Sequence, residues 1–310
     1  MATTPETAVP AAAPPGPTRR RKKRDDTRLA LVFIAAASVG LIAFYLVPLV
    51  RGVWLSFQEW DLLSEASFVG LANYERMVAD PVFWNAVRVT LLYVVINIGV
   101  QTVIGLGIAV LMQRLATSTF WRSIVLAPYL VSNVVAAILF LWILDFQLGI
   151  GTQVLEWIGV GRIPFLTSEE WAIPTIALIN VWRHMGYTAL LLFAGLQTIP
   201  PVLYEAARID GASEWRMFRS ITMPVLRPML GMVLIVSIIG SFQVFDTVSV
   251  TTNGGPVDAS RVLQLYIYEN AFAQFDFGYA SALSVAMLVI LLVVTAVQYR
   301  VTRAGQTDLN

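Results

Sequence analysis

Hydrogen-bonding side chains recur at helical spacing inside long apolar segments of this 310-residue sequence. They form three sets: Thr90, Tyr93, Asn97 and Gln101; Asn180, Arg183, His184, Tyr187 and Thr188; and Gln243, Asp246 and Thr247. Within each of the first two sets, the spacing places the residues on one side of a helix. Amides and hydroxyls on such a face can bond the hydroxyl groups of a sugar, and rings such as Tyr187 and Phe245 can stack on its apolar side.

Six of these side chains are candidates for the lining of a substrate path: Asn97, Gln101, Asn180, Tyr187, Gln243 and Asp246. A second interpretation stays open, because amides and hydroxyls on membrane helices commonly bond neighbouring helices and never touch a substrate. On that interpretation Arg183 pairs with a charge or a carbonyl group of another helix, and His184 is a packing residue. Asp246 is also compatible with a position at the outer membrane interface.

Residues for catalysis or metal binding are missing from the sequence. A phosphate-binding loop needs a lysine after its glycines, and the only two lysines, Lys22 and Lys23, lie in a basic cluster near the N-terminus. The chain has one histidine and no cysteine, which argues against a metal site or a thiol nucleophile. We therefore predict a chain that is not an enzyme and holds no cofactor or metal.

The composition is that of an integral membrane protein, with 57% hydrophobic and 13% charged residues and a mean hydropathy of +0.70. Six segments are apolar enough to cross a bilayer as helices, namely 29–55, 86–112, 121–144, 172–199, 229–250 and 278–299. The sequence thus predicts an all-α fold of six transmembrane helices. The formal net charge is only +1, and no nucleic-acid partner is expected.

Basic residues cluster in alternate connections, beginning with the run from Arg19 to Arg24. By the positive-inside rule both termini are cytoplasmic. Residues 1–28, rich in Pro, Ala and Thr before the basic run, are expected to form a disordered cytoplasmic tail. The transmembrane domain then covers 29–303, and 304–310 form a second cytoplasmic tail.

The connection between the fourth and fifth segments, residues 200–228, is polar but carries apolar side chains. Pro201 suits the first position of a short helix, Gly211 suits its end, and Ser213 suits the cap of a second short helix that Pro224 would stop. Tyr204, Trp215, Met217 and Phe218 are too many to bury within so short a loop, so a groove in a partner protein is their natural destination. The alternative is that these side chains rest on the membrane interface.

The same loop carries a sequence signature. Glu205-Ala206-Ala207, Asp210-Gly211-Ala212, Ile221 and Pro224 resemble the E-A-A, D-G-A and I-x-L-P pattern of permease subunits of binding-protein-dependent ATP-driven (ABC) importers. Met223 stands where that family usually has Leu, an exchange that keeps bulk and apolarity. The resemblance implies a coupling helix that docks on a separate ATP-hydrolysing subunit. The residues assigned to this docking are Glu205, Ala206, Ala207, Asp210, Gly211, Ala212, Trp215, Phe218, Ile221 and Pro224.

Three further stretches are similar to the maltose-type carbohydrate-uptake permeases: 68–74, Phe245-Asp246, and 252–256 followed by 267–272. The resemblance implies a multi-pass permease of the bacterial plasma membrane. Its implied partners are a second homologous permease, two ATP-binding subunits that hold ATP and Mg²⁺, and an extracytoplasmic sugar-binding protein. An ion-coupled secondary transporter is the alternative function, for which only Asp246 and Asp145 offer acids near the membrane interior.

Overall fold

A computed structural model of the protein describes residues 23–115 and 118–302. The predicted tails 1–28 and 304–310 therefore lie outside the described residues, except for 23–28, which belong to the first helix. The chain divides into two compact units, Met1–Arg51 and Gly52–Asn310.

The first unit is helical throughout its described part. Helix α1 (Lys23–Leu41) leads through a π-helical turn (Ile42–Leu46) into helix α2 (Val47–Leu55), which continues into the second unit. From Leu29 to Leu55 the helix is long and apolar enough to cross a membrane. Its side chains are apolar on all sides, as expected of a helix that faces lipid or other apolar helices.

The second unit contains the remaining helices. They are α3 (Ala72–Ala79), α4 (Pro81–Leu115), α5 (Thr119–Leu126), α6 (Asn133–Ile143), α7 (Ile150–Trp157), α8 (Ala172–Leu196), α9 (Pro201–Ile209), α10 (Glu214–Met217), α11 (Met223–Phe242), α12 (Asp246–Thr251), α13 (Leu263–Tyr268) and α14 (Phe277–Thr302). In the described part of the chain, five helices could cross a membrane, and a bent pair raises the number to six if that pair is one span.

The third span that the sequence predicts over 121–144 is a bent pair of helices in the structure. Helix α5 passes into a 3-10 turn (Ala127–Leu130), the chain breaks at Val131 and Ser132, and α6 leaves at 89° to the first half. Pro128 lacks the N–H that a continuous helix requires, and the Ser132 hydroxyl accepts a hydrogen bond from the Val135 N–H at 3.3 Å to cap α6.

The fifth span also differs from its prediction, which starts it at 229 after a helix stop at Pro224. In the structure α10 runs through a π-helical turn (Phe218–Thr222) directly into α11, so the prediction that Pro224 stops the helix is wrong. Pro224 lies in the first turn of α11, where a missing N–H is tolerated, and the preceding Met223 N–H bonds the Phe218 carbonyl group across the wider π-turn. The helical run then breaks again at residues 243–245, between α11 and α12.

Helices α4 and α8 form the centre of the second unit. One cluster of buried side chains joins them to α11, α12, α13 and α14 through residues such as Tyr93, Ile176 and Leu283. A second cluster, with Leu192 and Leu226 at its centre, lies toward the α9 and α10 end of the molecule. Since lipid is as apolar as these side chains, close van der Waals packing is what holds the helices together.

The structure also contains a small β-hairpin, which the prediction of an all-α fold does not include. Strands β1 (Gln58–Glu59) and β2 (Ser67–Phe68) pair antiparallel. The Asn73 amide group donates to the carbonyl oxygens of Ser56 and Gln58 at 3.0 and 2.9 Å, and the Tyr74 hydroxyl lies 2.6 Å from that of Ser56. Asn73 and Tyr74, which end the 68–74 stretch, therefore tie the hairpin to α3.

Candidate functional site

A cavity of about 280 Å³ opens between α4, α6, α8 and the break that separates α11 from α12. Its lining contains all six candidate substrate-path residues: Asn97, Gln101, Asn180, Tyr187, Gln243 and Asp246. The packing of the helices therefore brings residues from all three polar sets to one cavity. Contact of any of them with a substrate stays a prediction.

Three of the six, Asn97, Gln101 and Asn180, are at most 5% exposed and bond other helices. The Asn97 amide group donates to the Ser241 hydroxyl at 2.8 Å, and the Gln101 amide group donates to the Thr188 hydroxyl at 2.7 Å. The Asn180 amide group donates to the Ile176 carbonyl group at 3.1 Å and to the Thr247 hydroxyl at 3.2 Å. These amides therefore form the interhelical hydrogen bonds that the second interpretation of the sequence predicts.

Asn97 keeps one unused acceptor. Its Oδ1 is buried and accepts no hydrogen bond from the described residues. A buried carbonyl oxygen without a donor is costly in a membrane, where water does not compensate it. The Asn97 side chain lines the cavity, but its Oδ1 is enclosed by protein atoms.

Tyr187, Gln243 and Asp246 are more accessible than these three amides. The ring of Tyr187 stacks on that of Tyr129, with centroids 4.6 Å apart and planes 11° from parallel. Gln243 and Asp246 flank the break between α11 and α12, where the interrupted helix turns polar groups toward the cavity.

Tyr129 and Asn133 are among the lining residues that the polar spacing in the sequence does not indicate. Both lie beside the break in the third span. The signal for them was Pro128 followed by Ser132, a helix breaker followed by a helix cap, because broken membrane helices often border cavities.

Arg183 of α8 forms hydrogen bonds with two residues at the break in the third span. Its Nε donates to the Val131 carbonyl group at 2.6 Å, and its guanidinium also donates to Asn133 Oδ1. The neighbouring His184 bonds the Asn180 carbonyl group through Nδ1 at 2.9 Å. Arg183 thus makes the predicted contact with a carbonyl group of another span, and that carbonyl group belongs to Val131 at the break in the third span.

The 200–228 loop forms the glycine corner that the sequence predicts. Helix α9 ends in two backbone bonds, from the Ala212 N–H to the Ala207 carbonyl group at 2.9 Å and from the Gly211 N–H to the Arg208 carbonyl group at 3.0 Å. Gly211 has a φ of +75°, which favours glycine. The Ser213 hydroxyl then accepts from the Arg216 N–H at 3.4 Å and caps α10.

The apolar side chains of this loop divide into an exposed and an internal group. Trp215 is 70% exposed and stacks on Phe218 at 5.6 Å, and Ile209 is 87% exposed. Met217 is buried, and the Tyr204 hydroxyl bonds that of Thr222 at 2.8 Å. As predicted, the loop does not bury all four apolar side chains, since Trp215 stays exposed. Met217 needs no partner's groove, because α10 continues into the membrane helix and Met217 is buried within its own unit.

The remaining residues assigned to the loop surface follow the same division. Glu205, Ala206, Asp210, Gly211 and Pro224 are exposed, while Ala207, Ala212, Phe218 and Ile221 are partly buried. An ion pair of 3.7 Å between Arg208 and Glu214 bridges α9 and α10 across the corner. Being largely exposed, that pair contributes little to stability.

The chain is similar to known proteins over most of its length. A family model described as "Binding-protein-dependent transport system inner membrane component" matches residues 101–304. The chain is 36% identical over 282 residues to a sulfoquinovosyl glycerol transport system permease protein of Agrobacterium fabrum. That alignment covers 90% of this chain and 91% of the relative. It is 33% identical over 280 residues to a trehalose/maltose transport system permease protein of Thermococcus litoralis, with 90% and 95% covered.

The fold has a counterpart among solved structures. A crystal structure of a bacterial ABC transporter involved in the import of the acidic polysaccharide alginate superposes with a TM-score of 0.78 and 22% identity. The match covers 90% of this chain and 97% of that one. At this identity the comparison supports the fold alone.

Proposed function

Because the chain belongs to the inner membrane components of binding-protein-dependent transport systems, we propose that it is one permease of an ATP-driven importer for a sugar or sugar-like polyol. The relatives that share about nine-tenths of its length are named for the transport of sulfoquinovosyl glycerol and of trehalose or maltose. The observation that carries the proposal is the cavity lined by all six candidate residues.

The side chains around the cavity suit a polyhydroxylated substrate. The Gln243 amide group supplies a donor and an acceptor for hydroxyls, and the Asp246 carboxylate supplies further acceptors. The ring of Tyr187, held flat against Tyr129, offers a stacking surface for the apolar side of a sugar ring.

The topology of the proposal has six crossings, with both termini in the cytoplasm. The bent pair of α5 and α6 counts as the third crossing, and the basic residues of alternate connections favour this orientation. It would place the α9 and α10 corner in the cytoplasm and the 252–256 turn outside.

The corner of α9 and α10 is the proposed docking element for a separate ATPase subunit. Its support is the exposure of Trp215 and Ile209 at the tip of a loop whose backbone is fixed by Gly211 and Ser213. Exposed apolar side chains on a rigid corner are typical of a surface that inserts into a partner's groove. The Met217 side chain holds the corner against the membrane helices and takes no part in docking.

The complete importer would contain a second homologous permease, two ATP-binding subunits and an extracytoplasmic sugar-binding protein. ATP and Mg²⁺ would be held by the ATP-binding subunits, and this chain would supply no cofactor site. The alternative of an ion-coupled secondary transporter has less support, because Asp246, an acid at the cavity, is already engaged by Asn133.

Transport by the reconstituted complex tests the proposal. Proteoliposomes that contain this chain, the neighbouring permease and the ATPase should take up radiolabelled sugar only with ATP and the binding protein. Asn97→Ala and Gln243→Ala should lower uptake while the basal ATPase rate persists, whereas Val95→Ala, at an exposed apolar position on α4, should leave uptake unchanged. Uptake driven by an ion gradient without ATP would contradict the proposal.

A further inference from the structure

Helix α7 follows the third span and has three distinct sides. One side is internal, with Thr152 only 1% exposed and Gly151 and Leu155 partly covered. A second side carries the exposed polar residues Gln153 and Glu156. The third side is apolar and bare, and it consists of Ile150, Val154, Trp157 and Ile158.

The bare side is a continuous stripe. Its members follow the i, i+4, i+7, i+8 spacing of one helix face, and their exposed fractions run from 51% for Val154 to 88% for Trp157. No ionisable side chain lies on this stripe. Such a stripe on an otherwise polar helix is unfavourable in water.

Helix α7 is held firmly against the end of α6. The Thr152 hydroxyl donates to the Asp145 carbonyl group at 2.9 Å, two residues beyond the end of α6 at Ile143. Glycine is required at this contact, because a Cβ atom on Gly149 would lie 2.5 Å from the carbonyl oxygens of Ile143 and Asp145. The apolar stripe therefore has a fixed position beside the point where an apolar membrane segment ends.

The surface of α6 that leads to this point is itself apolar and exposed. Ile138, Leu139 and Trp142 lie on it, and Trp142 is 74% exposed. The two tryptophans, Trp142 and Trp157, thus mark the end of the membrane segment and the end of α7. Tryptophan is enriched at the level of the lipid headgroups, where its ring is apolar and its N–H is polar.

The polar side of α7 is also held in place. The Glu156 carboxylate pairs with the Arg162 guanidinium at 2.9 Å, so the connection that follows α7 folds back over the polar side and leaves the apolar stripe bare. We propose that α7 is an interfacial helix whose stripe of Ile150, Val154, Trp157 and Ile158 lies in the headgroup and acyl boundary of the bilayer. The occupant of the stripe is lipid, which is continuous with the lipid that covers α6.

Such a helix would fix the depth and tilt of the broken third span, whose central break contributes Tyr129 and Asn133 to the cavity. The inference requires only that the chain is a membrane protein. It does not depend on the identity of the substrate or on docking to an ATPase.

Site-directed spin labelling tests this proposal, and the absence of cysteine from the chain makes single-cysteine variants straightforward. The full chain, purified with the subunits that accompany it, is reconstituted into vesicles of phosphatidylethanolamine and phosphatidylglycerol. Nitroxide labels are placed at Val154→Cys and Trp157→Cys on the stripe, and at Gln153→Cys on the polar side as the matched control. The unmodified chain gives the background from cysteines of other subunits.

Collision of the labels with oxygen, which concentrates in lipid, is compared with collision with a water-soluble nickel chelate. The ratio of oxygen to nickel accessibility should be roughly threefold or more higher at 154 and 157 than at 153. A stripe that favours the nickel chelate would mean that it faces water, and low accessibility to both would mean that a protein covers it. Either result would overturn the proposal.

Discussion

Asn133 donates from its amide nitrogen to Asp246 Oδ2 at 2.9 Å, and so joins the break in the third span to the break in the fifth. The amide oxygen of the same side chain accepts from the guanidinium of Arg183 on α8. One amide therefore connects a cation and a carboxylate, and its orientation is set by both. The two interrupted helices that border the cavity are held together by this chain of hydrogen bonds.

Substitution of Asn133 should disturb the cavity more than the membrane fold. In Asn133→Ala both charged partners lose a hydrogen bond, each worth on the order of 1.5–3 kcal/mol. We expect a several-fold loss of sugar uptake in proteoliposomes with normal membrane insertion. Val134→Ala, one residue away on an exposed position of α6, is the control. Equal uptake by the two variants would mean that the link between the breaks has no role in transport.

Gly211 should tolerate no β-branched residue. A Cβ atom at this position would meet no neighbouring atom within 4 Å, so space for a side chain is available. The backbone conformation, with a φ of +75°, would nevertheless cost about 1–3 kcal/mol of strain in Gly211→Val. The variant should insert in the membrane and pair with the second permease, yet lose co-purification with the ATPase. Glu205→Ala, which removes an exposed charge, should be milder. Wild-type co-purification of Gly211→Val would separate this corner from ATPase docking.

Trp215 and Met217 lie two residues apart and should respond in opposite ways. Trp215→Ala removes an exposed ring, so the thermal midpoint should hardly change while binding of the ATPase weakens. Met217→Ala removes a buried side chain and should destabilise the chain by about 2–5 kcal/mol. Thermal unfolding in detergent, combined with a pull-down of the ATPase, distinguishes the two effects. A large fall in stability for Trp215→Ala would contradict the division of the loop.

Asp80 should contribute stability that depends on pH. Partial burial would raise the pKa of Asp80, but hydrogen bonds from the hydroxyls of Tyr266 and Tyr279 outweigh burial and lower that pKa below 3.8. A lowered folded-state pKa gives stability that is present above the unfolded value and is lost as pH falls through the folded value. The thermal midpoint should therefore fall as the pH drops below about 4. Asp80→Asn should show a lower midpoint at neutral pH and a smaller dependence, and an unchanged curve would exclude this role.

The proposed topology places Ala66 and Gln306 on opposite sides of the membrane. Since the chain has no cysteine, Ala66→Cys and Gln306→Cys can each be labelled alone in intact cells. A membrane-impermeant thiol reagent should react with Ala66→Cys and reach Gln306→Cys only after the cells are opened. Labelling of both variants in intact cells would contradict a fold with six crossings.

Residues close together in the sequence were sufficient to predict several features of this structure. Apolar length identified the five long helices that could cross a membrane, and the glycine at 211 and the serine at 213 determined the corner of the 200–228 loop. Helical spacing identified the polar faces of α4 and α8. Each of these features depends on residues a few positions apart, so the sequence alone is sufficient to predict it.

The tertiary structure decided where helices break and which polar groups meet. A proline signals a break but leaves its angle open. At the 89° bend the Val131 carbonyl group accepts a hydrogen bond from Arg183, 52 positions away. Pro224 was absorbed into a continuous helix because a π-turn precedes it. The pairing of Asn133 with Asp246 joins residues 113 positions apart. Such contacts depend on how helices pack, which spacing along one helix does not specify.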